Sequence, residues 1–173
     1  GIFEMACSLR DTEQLFLDLI LNKTLVHTLM DKLLEINIGF YEIQTNALWE
    51  YVKLFEVTDD MASQQGLMIS PEMYREFLKP RHKQIVEYIK MRVPDSKVLF
   101  HSCGAVAKLI PDFIEIGVDI INPIQPLAKG MNLKFLKEEY GKDIVFCGGL
   151  DVQDALRKDS VDIDAEVKRC IRD

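Results

Sequence analysis

No apolar run in this chain is long enough to span a bilayer, and its first residues lack the basic-then-apolar order of a secretory signal. Both absences lead us to expect a cytoplasmic protein with no membrane partner. Positive charge is in short supply as well: 21 Lys and Arg face 28 Asp and Glu, for a formal net charge of -7. Without a basic stretch, nucleic acid and anionic membrane surfaces are poor candidates as partners. Cysteine occurs four times, at Cys7, Cys103, Cys147 and Cys170, with none of the spacing of a disulfide framework. Such thiols read as reduced. What the sequence does contain is ordinary core material, 48% hydrophobic and 28% charged over 173 residues. That is enough for a single domain over residues 1–173.

Apolar residues set the order of elements. From Ser8 to about Leu48 they recur at three- and four-residue steps (Leu15, Leu19, Leu25, Leu29, Leu33, Ile36, Phe40 and Ile43), which predicts two helices meeting near Asn22. Tyr51 to Val57 is rich in β-branched and aromatic residues and predicts a strand ending at Thr58-Asp59-Asp60. Ser70-Pro71 is a helix start, and Tyr74, Phe77, Leu78, Ile85, Tyr88 and Ile89 mark the buried face of that helix. Pro80 should bend or interrupt it, and Lys79-Arg81-Lys83 should form a solvated face. After a strand at Val98 to Phe100, a helix over Ala105 to Ile116 closes at Gly117. A strand at Val118 to Ile121 ends at Asn122-Pro123. Leu133 to Tyr140 is a helix, Ile144 to Cys147 a strand, and helices from about Val152 and over Ala165 to Arg172 follow. Alternation of this kind predicts an α/β fold with four parallel strands and right-handed crossovers.

The stretch with the most chemistry is Lys97-Val-Leu-Phe-His-Ser-Cys-Gly104, a strand running into a turn and then a helical pattern. If the strand continues to Cys103, its period of two turns His101 and Cys103 to one side, and a borderline-soft cation such as zinc suits an imidazole and a thiol there. The competing expectation is a histidine bonded to backbone beside a buried thiol. A helix N-terminus just after Cys103 would lower the pKa of that thiol.

Three stretches together resemble the uroporphyrinogen decarboxylase superfamily, including its methylcobalamin:coenzyme M methyltransferase branch: His101-Ser-Cys-Gly104, Gly117-Val-Asp-Ile-Ile-Asn-Pro-Ile-Gln125 and Phe146-Cys-Gly-Gly-Leu-Asp-Val-Gln153. The resemblance implies a (β/α)8 TIM barrel of which this chain, from about Glu4 onward, would be the C-terminal part, a fragment of a longer protein. Four strands do not close a barrel, and the chain stops inside an amphipathic helix. Exposed sheet edges on such a piece would lead it to pair as a homodimer or to aggregate. In the methyltransferase branch His-x-Cys supplies two zinc ligands, so the resemblance assigns His101 and Cys103 to zinc. The third ligand of that branch falls beyond Asp173, and Cys147 is the candidate within the chain, since alternate strands share barrel layers.

On the catalytic rim of such a barrel, where strands end, lie Asp59 and Asp60, then Asn122 and Gln125, then Asp151 and Gln153; these are the candidate substrate-binding residues. Aspartate is also a common turn or cap residue, and Asp151 would equally cap the next helix. His27 and His82 lie within helices away from any cysteine, and Cys7 and Cys170 on helical patterns read as core thiols. The functional expectation is zinc-dependent methyl transfer from methylcobalamin or another corrinoid, free or on a corrinoid protein, to a small-molecule thiol. Metal-free decarboxylation of a porphyrinogen is the second enzyme reading, and a non-catalytic subunit holding a tetrapyrrole or corrinoid is the third. Zinc content separates the first from the others.

Overall fold

Alternation in the sequence becomes a sheet of four parallel strands, in a computed structural model that describes residues 1–158 and 162–172. The strands are β1 (Leu54–Thr58), β4 (Lys97–His101), β5 (Ile120–Ile124) and β6 (Val145–Gly148), side by side in that order. A small antiparallel hairpin, β2 (Ala62–Ser63) with β3 (Gly66–Leu67), follows β1. Along the sheet the side chains alternate. Phe55, Val57, Val98, Phe100 and Ile121 are at most 3% exposed and face the helices. Leu54, Glu56 and Thr58, with Leu99, His101, Ile120 and Asn122, lie on the opposite face and stay exposed or half-buried. Helices covering one face of a parallel arc is the layering of a (β/α)8 barrel wall.

The helices keep most of their expected boundaries, and each departure has a local cause. The N-terminal helical region has three helices, α1 (Ile2–Arg10), α2 (Thr12–Leu21) and α3 (Lys23–Leu48). The break at Asn22 was expected; the second falls at Asp11, which has φ 70° and accepts a bond from the Glu13 amide. A short acidic side chain bonded to its own backbone competes with helix continuation. Helix α4 (Pro71–Met73) starts as the Ser70-Pro71 signal predicts, with Ser70 Oγ accepting from the Met73 amide at 3.2 Å. It runs through a π-helical turn, Tyr74–Leu78, into α5 (Lys79–Arg92). Pro80 neither stops nor sharply breaks this helix. Its missing N–H is absorbed by the wider turn just before it, where the Lys79 amide bonds the Tyr74 carbonyl five residues back. The solvated face expected at Lys79-Arg81-Lys83 is corrected: Arg81 is buried against Phe77, His27 and Asp31, Lys79 pairs with Asp112 and Glu115, and only Lys83 is exposed.

After β4 the expected helix over Ala105 to Ile116 is shorter, a 3-10 turn Ala107–Leu109 followed by α6 (Ile110–Glu115). Pro111 lies in the first turn of α6, where its absent donor is harmless. Gly117, at φ 88°, closes the segment as expected. Strand β5 runs past Ile121 through a cis Asn122-Pro123 bond to the buried Ile124, and its register against β6 shifts there. Helix α7 (Leu133–Tyr140) has the expected bounds and is capped by Asn132. The helix expected from about Val152 is only a 3-10 turn, Ala155–Arg157, and α8 (Ile163–Arg172) is the last element.

Candidate functional site

Strand pairing continues one residue beyond β4: the Ser102 amide donates to the Asn122 carbonyl at 2.8 Å. The alternation therefore carries on, with Ser102 fully buried and Cys103 on the side of His101. Cys103 Sγ lies 3.6 Å from His101 Nε2. The His101 side chain is 30% exposed, so the pair opens to solvent and is not sealed under apolar packing. Asn122, directly opposite His101 in β5, has its Oδ1 2.8 Å from Nδ1 of the ring. Its Nδ2 points to the Cys147 carbonyl at 3.3 Å, which fixes the amide orientation. An oxygen facing Nδ1 requires the proton on that nitrogen and leaves the Nε2 lone pair free on the Cys103 side.

Asp60 completes the cluster from the end of β1. Its Oδ1 accepts the Cys103 amide at 2.7 Å and lies 4.0 Å from His101 Nε2. One donor atom from each of Asp60, His101 and Cys103 lies within 4.8 Å of the other two, and no other His, Cys, Asp or Glu set among the described residues is so placed. The donors fit zinc. With Zn–S near 2.3 Å and Zn–N near 2.05 Å, a tetrahedral angle separates sulfur from nitrogen by about 3.6 Å, and that is the separation found here. The thiol departs from expectation. Burial first, then the charge of Asp60 and a hydrogen bond to it, push Cys103 above the ordinary thiol range. The expected lowering by a helix N-terminus is absent, because a 3-10 turn begins only at Ala107. A thiolate here needs a cation beside it.

The turn after Cys103 is held by the hairpin. Gly104 has φ 86°, and a Cβ on it would fall 2.6 Å from the carbonyl oxygens of Ala62 and Ser63. Ala105 N–H bonds Ser63 O at 2.9 Å, and Met61 N–H approaches Ser102 Oγ at 3.3 Å. Gln125 Oε1 accepts both the Gly104 amide at 2.9 Å and Gln64 Nε2 at 2.6 Å.

The rim candidates thus divide. Asp60 and Asn122 belong to the cluster, and Gln125 holds its turn. Asp59 does not belong: fully buried, it accepts the amides of Phe3 at 2.8 Å and Glu4 at 3.0 Å and meets His82 Nε2 at 3.0 Å. Its carboxylate caps α1 from below and has no route to a substrate. Asp151 likewise caps the turn after β6, accepting the amides of Gln153, Asp154 and Ala155, while the half-buried Gln153 enters through its backbone. Cys147 is exposed and its Sγ meets Asn122 Nδ2 at 3.5 Å, so the structure does not bring it into the donor cluster. Gln64 and Ser102 were not foreseen. Only tertiary placement of the hairpin gives them a role, and the sequence carries no local signal of it. A cleft of about 620 Å3 beyond the hairpin, lined by Leu67, Ile69, Ala105, Lys108 and Lys129 among others, contains none of the donors.

Comparison with known proteins adds a lineage to this geometry. The family model described as uroporphyrinogen decarboxylase (URO-D) matches residues 1–173. A methylated-thiol–coenzyme M methyltransferase of Methanosarcina mazei is 28% identical over 94 residues, 54% of this chain and 23% of that protein. The chain thus matches about a quarter of the length of this curated relative. No solved structure matches.

Proposed function

The chain belongs to the uroporphyrinogen decarboxylase family, and from that premise we propose that it serves zinc-dependent methyl transfer from a methyl-corrinoid to a small-molecule thiol. The observation that carries this is the 3.6 Å approach of Cys103 Sγ to a histidine nitrogen whose lone pair is free. Similarity to a methyltransferase acting on methylated thiols supports it. His101 and Cys103 would hold the metal. Bound zinc supplies positive charge that keeps an acceptor thiol ionised at neutral pH. His101 would offer Nε2 because its Nδ1–H donates to Asn122 Oδ1, and Cys103 would bind as the thiolate. Asn122 and Gln125 orient these groups through the ring and the Gly104 amide. In the overall reaction the acceptor sulfur bonds to the methyl carbon, and the electron pair of the carbon–cobalt bond leaves with the corrinoid.

Metal analysis of the purified protein, followed by an assay of methylcobalamin demethylation by thiols, tests the proposal. The expected result is close to one zinc per chain, lost in Cys103→Ser, with thiol-dependent demethylation falling by a factor of about 100 or more. A protein that binds no zinc and decarboxylates a porphyrinogen instead would overturn it.

A further inference from the structure

We infer that Asp60, just beyond β1, is a protein donor to the metal alongside His101 and Cys103, and that Cys147 on β6 is not. This rests on the zinc reading above and says from which side of the sheet the next donor comes. The first argument is the direction of the imidazole. Nε2 carries the free lone pair and faces Cys103 and Asp60, whereas Nδ1 faces Asn122. Cys147 lies beyond Asn122, on the Nδ1 side, with its sulfur already against the Asn122 amide at 3.5 Å. To reach the metal it would have to displace the group that fixes the histidine.

The second argument is what lies between Asp60 and Cys103. The carboxylate takes the Cys103 amide at 2.7 Å, and Asp60, His101 and Cys103 each bring one donor atom within 4.8 Å of the other two. Loading then releases one thiol proton: the Cys103 S–H bond breaks, a sulfur–zinc bond forms and the proton goes to solvent. Charges also balance, because thiolate and carboxylate offset a divalent ion next to a neutral imidazole. Asp60 Oδ1 lies 4.0 Å from Nε2, against about 3.4 Å across a tetrahedral zinc site. A small rotation of the half-exposed carboxylate closes that gap.

Zinc and cobalt(II) titrations of the full chain test this. Asp60→Asn keeps an oxygen to accept the Cys103 amide, so it removes the charged donor while leaving the cap. We expect zinc affinity to drop by a factor of about 10 to 100, with the visible bands of the cobalt(II) protein shifted and its sulfur-to-metal absorption retained. Asp60→Cys should restore tight binding, and Cys147→Ser should bind as the parent does. Parental affinity in Asp60→Asn, or lost binding in Cys147→Ser with an unchanged circular dichroism spectrum, would overturn the inference. His101→Ala and Cys103→Ser separate the two levels: if they too bind zinc normally, the zinc reading itself falls. If they lose zinc while Asp60→Asn does not, only the role of Asp60 falls.

Discussion

Two adjacent aspartates show how much one position along a strand end decides. Asp59 and Asp60 are chemically alike, yet Asp59 is fully buried under α1 while the Asp60 side chain is 38% exposed beside Cys103. The pleat sends neighbours to opposite faces. Removing the buried carboxylate strands the amides of Phe3 and Glu4 and leaves His82 Nε2 without its partner. Asp59→Ala should therefore lose about 3 kcal/mol of stability, the cost of breaking a buried hydrogen-bonded pair. Urea unfolding measures it, and a loss under about 1 kcal/mol would contradict the role of Asp59 as a cap. From the sequence the two residues were indistinguishable, since both followed a predicted strand. What separated them was the helix packed over one face, which no local pattern announces.

Among the elements, the hairpin and the turn after β4 act as one unit. Gly104 is the residue at their contact, and a methyl group there would meet both backbone oxygens of the hairpin at 2.6 Å as well as an unfavourable φ. Gly104→Ala should lower stability by about 2 kcal/mol or more and weaken metal binding in parallel. Thermal unfolding and zinc titration of the same variant check both effects, and a variant with parental values in each would refute the contact. Element order and type were largely legible: the Ser70-Pro71 start, the helix Leu133–Tyr140 and the strand expected at Val98 to Phe100, which spans Lys97–His101, followed from capping, periodicity and β-rich runs. The convergence of His101 and Cys103 followed from the same period of two. Illegible were the break at Asp11 and the widened turn before Pro80, where local hydrogen bonding overrode a continuous helical pattern. The two-residue strands of the hairpin are too short for periodicity to mark, and so Gln64 went unseen.

For the whole molecule, acid sensitivity lies in ion pairs that fasten helices to one another and to the sheet. Burial would raise the carboxyl pKa of Asp112, but Arg75 and Lys79 outweigh it and hold the group below the ordinary carboxylate range. Asp119 is held low in the same way, burial being outweighed by Lys90, the Val98 amide and Lys97. Groups whose folded pKa is depressed contribute stability above the unfolded value, near 4, and lose it as pH falls through the folded value. The melting temperature should be flat between about pH 7 and 5 and fall by roughly 5 °C or more toward pH 3. Asp112→Asn should start lower and lose less over the same range. Scanning calorimetry across that range decides, and equal slopes for parent and variant would remove these pairs from the account.

The placement of His101 on the open face follows from strict alternation along β4 and its pairing with Thr58 and Asn122. Slipping that strand by a single residue would bring Phe100 to the rim and turn the imidazole under the helices. On the zinc reading proposed above, misthreaded copies would therefore be colourless with cobalt(II) even where their secondary structure was intact. A simple absorbance reading would then sort correctly assembled molecules from near misses, a check on refolded material that circular dichroism alone does not provide.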